Sequence, residues 1–174
     1  MADVYTVLFT LIGMLISLPG LLVALNLLLP KAAQRTQTRL QTTPGKSFAL
    51  GLVVTAVLAF FILLFRNGGG PGQFLAISTA VLGMGLGTIG AAGMSRLLSE
   101  KLAPISQPYS ELKNLLRGAV VYELACLFPI VGWFLFAPLV GITVLGAAAF
   151  ALLNWLPRPA DVETAVPIPA TSNQ

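Results

Sequence analysis

The stretch RGAVVYELACLFPIVGWFLFAPLVGITVLGAAAFALLNW, Arg117 to Trp155, holds one charge between its ends, Glu123. At about 1.5 Å of rise per residue, a straight helix of this length would measure roughly twice the hydrocarbon core of a bilayer. The run must therefore be divided, and Pro129, Gly132 and Pro138 are the residues able to interrupt it. Tryptophan favours the headgroup level, and the 23 residues from Trp133 to Trp155 match one crossing. Asn154 and the Pro157-Arg158-Pro159 sequence close that crossing. The preceding stretch, about 108–128, then forms a separate interrupted helix, re-entrant or lying in the membrane surface, that breaks at Pro129-Ile130-Val131-Gly132. The competing division makes Gly118 to Phe136 a fifth span turning at Ala137-Pro138. That turn would carry no polar residue at lipid depth, where a bent backbone needs protein or water partners.

Outward from this run the chain is equally apolar. Its 174 residues are 56% hydrophobic and 9% charged, against about a quarter charged in soluble domains. This excludes a soluble core. Val4 to Leu29 supplies 26 uncharged residues with Pro19-Gly20 as a kink site, retained as an anchor because no positive n-region precedes it. Lys31 to Lys46 is polar and reads as a solvated loop or short surface helix beside anionic headgroups. Ser47 to Phe65 gives 19 residues, just enough to cross, and the glycine-rich turn after Arg66 returns the chain as helix three, Phe74 to about Met94.

The sequence thus predicts an all-α integral membrane protein with spans at about 4–29, 47–65, 74–94 and 133–155. An extra helix lies at about 108–128, and 158–174 forms a short tail. Lysine and arginine cluster in the first loop (Lys31, Arg35, Arg39, Lys46) and the third (Arg96, Lys101, Lys113, Arg117), leaving Arg66 and Arg158 elsewhere. By the positive-inside bias, both loops face the cytoplasm and, with four crossings, both termini lie on the opposite side. Such placement indicates orientation in a membrane and no nucleic-acid surface. No histidine is present and Cys126 is the single cysteine, so no metal, cofactor or disulfide set is expected.

Two features are candidates for a role. Ala76, Thr79, Ala80, Gly83, Gly87 and Gly90 share one sector of helix three at 100° per residue, a stripe that lets helix backbones approach in lipid. It reads as packing inside the bundle, as a self-association face, or as a pore lining. Glu123 is the ionisable residue deep in an apolar run, on a face assigned to Leu112, Leu116 and Ala119. It is either a structural carboxylate paired with Arg96 or reaching the interface, or part of an ion or proton pathway.

The residues Pro44-x-Lys46-Ser47 with Gly51, the Gly/Ala-rich helix ending near Arg96, Leu116-Arg117-Gly118, Pro129-x-x-Gly132-Trp133 and Leu145-Gly146-Ala147 carry a resemblance across Pro30 to about Leu153. The chain resembles the multi-span membrane module attached to some bacterial bactofilin-type, polymer-forming proteins, without their β-helical polymerising domain. That resemblance implies an anchoring or scaffold role and no catalysis. The expected function is a non-enzymatic scaffold, anchor or accessory subunit of a membrane complex, with membrane lipids and other subunits or further copies as partners. The alternative is a small oligomeric channel or transporter using the glycine-rich helix and Glu123.

Overall fold

The computed structural model describes residues 2–103 and 110–154, so Pro104, Pro108, Trp155 and the 158–174 tail lie outside the described residues. Six α-helices follow one another: α1 (Ala2–Leu28), α2 (Pro30–Thr42), α3 (Pro44–Phe65), α4 (Gly69–Leu102), α5 (Glu111–Leu127) and α6 (Ala137–Leu152). A π-helical turn, Gly132–Phe136, leads into α6. Four stretches are long and apolar enough to cross a membrane: Val4–Leu28, Pro44–Phe65, Gly69–Leu102 and Gly132–Leu152. These correspond to the four spans read from the sequence.

The chain punctuates its helices with proline where a helix can begin. Pro30 and Pro44 sit in the first turns of α2 and α3, where a missing N–H leaves no intrahelical bond unmade. Pro19, by contrast, lies within a continuous α1. Asn154 ends α6 with φ +56°, a left-handed conformation that asparagine tolerates better than most residues.

The divided run resolves at Phe128–Val131, the favoured break. Phe128 caps α5 in extended geometry, Gly132 N donates to Phe128 O at 2.8 Å, and Ile130 adopts φ +66°. Gly132 is needed for contact: a Cβ there would lie 2.6 Å from Ala125 O and 2.8 Å from Cys126 O. Pro138 does not break the chain as expected. Its ring would crowd the carbonyl four residues earlier in a regular helix, and the wider π turn immediately before it, closed by Ala137 N to Gly132 O, relieves that clash while the helix continues.

Helix directions follow from the register. α3 and α6 are antiparallel: a Cβ on Gly51 would overlap Ile142 O, and one on Gly146 would overlap Ser47 O. α4 runs beside α6 in the same direction, with Gly90 against Val144 O. α1 runs with α4, since Leu22 packs on Ala91 and Ala92, and Asn26 bonds to Ala92 and Ser95. α5 runs against α4: its start, Glu111, meets Arg96, Gly118 abuts Ser95 and Ser99, and Ala119 joins the Ala92 cluster.

Consequently the start of α1 and the end of α6 lie at opposite ends of the bundle. Counting four crossings placed both termini together. The difference arises because α5 is a rising limb that adds one more passage before α6 descends towards α2. Phe150 of α6 lies under the Arg39 guanidinium of α2, 4.7 Å from the ring centroid, which fixes that end of α6.

α2 also departs from the solvated loop or surface helix expected. Ala33, Thr36, Gln37, Arg39 and Leu40 are buried, because their three- and four-residue spacing presents one face to α4 and α6. Gly93 makes room for it: a Cβ there would sit 2.6 Å from Thr36 Cβ.

Candidate functional site

The site is built on α5. Its buried face is Leu115, Gly118, Ala119 and Glu123, whereas Leu112 and Leu116, assigned to this face from the sequence, are exposed. The rotation comes from Gly118, whose missing side chain lets α5 lie directly on the α4 backbone at Ser95 and Ser99. That approach draws Glu123 inside, leaving it 4% exposed. Neither carboxylate oxygen has a hydrogen-bond partner.

The expected pairing of Glu123 with Arg96 is not made. Arg96 Nη2 lies 3.6 Å from Glu111 Oε1 at the start of α5. Twelve residues of helix separate the two glutamates, about 18 Å of rise, and antiparallel packing directs Arg96 to the nearer one. Glu111 is largely solvent-exposed, so the Arg96 pair is a surface interaction worth little to stability.

Glu123 contributes instead to the wall of a cavity of about 840 Å³ where α1, α4, α5 and α6 meet. Leu18, Leu21 and Leu22 of α1 face Gly87 and Ala91 of α4, with Tyr122 and Cys126 flanking Glu123 and Trp133 and Val144 opposite. Among the described residues, Glu123 is the one charged member of this lining. Its polar neighbours on other helices are occupied: Thr55 Oγ1 donates to Gly51 O at 2.7 Å, and Thr88 Oγ1 to Gly85 O at 2.9 Å. Met14, Leu21, Met84 and Trp133 are all exposed, so the cavity opens sideways onto the apolar surface of the bundle.

The small-residue stripe of α4 is less exposed than the face carrying Ile77, Val81 and Met84. Ala76, Thr79, Ala80, Gly83 and Gly87 are half-buried and Gly90 is buried, while Ile77, Val81 and Met84 are exposed. Its members differ in what they meet. A Cβ on Gly83 would lie 3.0 Å from Leu58 Cδ1, one on Gly90 would overlap Val144 O, and one on Gly87 would meet nothing within 4 Å. Gly87 therefore faces the cavity.

Sequence reasoning passed over the closest helix contact and the main buried polar contact. The α3–α6 crossing at Gly51 and Gly146 brings backbone against backbone; Gly45 and Gly51 in α3, and Gly141 and Gly146 in α6, lack the three- or four-residue spacing that makes a stripe, so no glycine stripe announces it. Asn26 is buried, and its Nδ2 donates to Leu22 O (2.9 Å), Ala92 O (3.0 Å) and Ser95 Oγ (3.2 Å). Its signal was available, as an amide in an uncharged run of apolar residues marks a helix-to-helix hydrogen bond.

No group of three or more metal-ligating side chains occurs among the described residues. No protein-family model, characterised protein or solved structure matches the chain.

Proposed function

We propose that this protein is a non-enzymatic scaffold, anchor or accessory subunit of a membrane complex. The observation that supports this reading is the division of the bundle into a locked part and an uncommitted helix. α2, α3, α4 and α6 meet through glycine and serine backbone contacts, whereas every described side chain of α1 from Val4 to Ser17 is exposed. A span held by its second half, through Leu22 and Asn26, leaves about four turns exposed to pack against another membrane component. The resemblance to the membrane module of bactofilin-type proteins favours the same role, with the polymerising part replaced by a separate partner.

The orientation follows from the charges. Lys31, Arg35, Arg39, Lys46, Arg96, Lys101, Lys113 and Arg117 belong to the end of the bundle where α2 lies, and Arg66 to the other. This bias puts the α2 end in the cytoplasm of a bacterial cell, the start of α1 outside and the end of α6 inside.

A photo-crosslinking residue at Phe9, on the free half of α1, and another at Phe60 of α3 test the reading. One partner crosslinked in near-stoichiometric yield from Phe9 and co-purifying at constant ratio in mild detergent supports it; lipid adducts alone from both positions refute it. The second reading, an oligomeric channel or transporter, is favoured by the cavity at Glu123. A homogeneous homo-oligomer giving ion flux in liposomes would establish that reading instead.

A further inference from the structure

We propose that the cavity between α1, α4, α5 and α6 is a binding site for a lipophilic organic cation, its charge held by Glu123 and its apolar body by the surrounding helices. The volume, about 840 Å³, falls in the range of about 300–1,000 Å³ that accommodates small ligands and is too small for a transmembrane helix. The walls are leucine, methionine, alanine and glycine with two aromatic rings, Tyr122 and Trp133. An apolar body is therefore favoured, and aromatic faces attract an organic cation further.

The charge argument selects the sign. Glu123 is buried, and among the described residues its oxygens have no hydrogen-bond partner and no cationic side chain lines the cavity. Arg96, the cation that the same membrane end could have supplied, is directed to Glu111. A carboxylate kept in apolar surroundings without a protein counter-ion is complementary to a cation that brings its own hydrophobic shell. A metal ion does not fit: a hard cation such as Ca²⁺ takes about 6–8 oxygen ligands, and this lining offers one carboxylate. Its oxygens are buried beside the cavity, so the ligand's charge sits against the Glu123 side chain once that side chain turns towards it. Entry is lateral, from the lipid side, past the exposed Met14, Met84 and Trp133.

The test uses the full chain in phosphatidylcholine nanodiscs and radiolabelled tetraphenylphosphonium, with tetraphenylborate as an anion of the same shape. The expected result is saturable binding displaced by unlabelled tetraphenylphosphonium and not by tetraphenylborate. Glu123→Gln, which keeps the shape of the side chain, should weaken binding at least tenfold. Gly87→Leu leaves Glu123 in place and enters the cavity, where a Cβ meets nothing within 4 Å; it too should abolish saturable binding without lowering thermal stability. Non-saturable uptake, equal displacement by the anion, or unchanged affinity in Glu123→Gln would each overturn the proposal. Should Glu123→Gln fail to fold, the anion comparison and Gly87→Leu still decide it: failure of either to discriminate overturns it, and both discriminating supports it.

Discussion

Substitution of Gly146 by alanine probes the tightest point of the fold. The new Cβ would lie 2.8 Å from Gly51 Cα, where ordinary van der Waals contact begins at 3.4 Å, and would overlap Ser47 O and Gly51 N. Every atom it meets belongs to the backbone of α3, so no side-chain rotation can relieve the overlap, and the two helices must separate. Overpacking of this kind costs about 1–3 kcal/mol, and rigid neighbours place it at the upper end. Alanine at a helical glycine otherwise contributes up to about 1 kcal/mol through propensity, which leaves a net loss of about 2 kcal/mol. Gly87→Ala supplies the control, because it gains the same propensity and its Cβ meets nothing within 4 Å. The two variants should therefore differ by about 3 kcal/mol, read as unfolding free energy in mixed detergent–SDS micelles by tryptophan fluorescence. Equal stability of Gly146→Ala and Gly87→Ala would refute the assignment of the closest contact to the α3–α6 crossing.

Asn26→Leu should destabilise by about 1 kcal/mol in the same assay, because it removes the donors to Ala92 O and Ser95 Oγ that hold α1 to α4; a neutral result would mean that packing at Leu22 alone retains α1. Ile130→Gly should stabilise by about 1 kcal/mol, since a β-branched residue at φ +66° carries left-handed strain that glycine lacks; loss of stability would show that its exposed side chain matters more than its backbone. Reporter fusions after Gln41 and after Asn154 should read cytoplasmic and one after Gly70 external; an external signal after Asn154 would return α6 to the direction expected from four crossings.

What the sequence revealed and what it withheld follow different physics. Span positions were legible because hydropathy and length are local: Ser47–Phe65 became Pro44–Phe65, and the break at Pro129-Ile130-Val131-Gly132 formed where a proline that cannot continue the helix is followed by a glycine that permits a close turn. The direction of α6 was not, because it depends on whether the polar-started α5 rises into the bundle, and that is decided by Gly118 settling on Ser95 and Ser99. The same contact rotates α5, exposes Leu116 and buries Glu123, so one glycine displaced both the terminus assignment and the face assignment. The alignment of the α4 small residues in one sector was legible from angular spacing, but which of its members touch a partner was not. Gly90 and Gly87 look alike in sequence, and only α6 passing Gly90 distinguishes them.

The position of the cavity follows from where close packing ends. In lipid, helices are held together by small residues and hydrogen bonds, since hydrocarbon competes on equal terms for apolar side chains. Towards the α2 end these devices are dense: Gly51 with Gly146, Gly90 with Val144, Gly93 with Thr36, Gly118 with Ser95, and Asn26 reaching across to α4. At Gly87, one turn beyond Gly90, they are interrupted, although Gly83 again meets Leu58 of α3. From Gly87 outward, α1 offers Leu18 and Met14, α6 offers Pro138 and the preceding Trp133, and none of these supplies a small-residue contact or a donor across the gap. The helices therefore diverge at the level of Glu123, which is held by α5 at the rim of the locked region. A carboxylate placed deeper would be crushed between backbones, and one placed further out would reach lipid unprotected. At this boundary its oxygens are enclosed by protein while the residue borders the cavity, so a turn of the side chain would bring its charge to a membrane-dissolved cation.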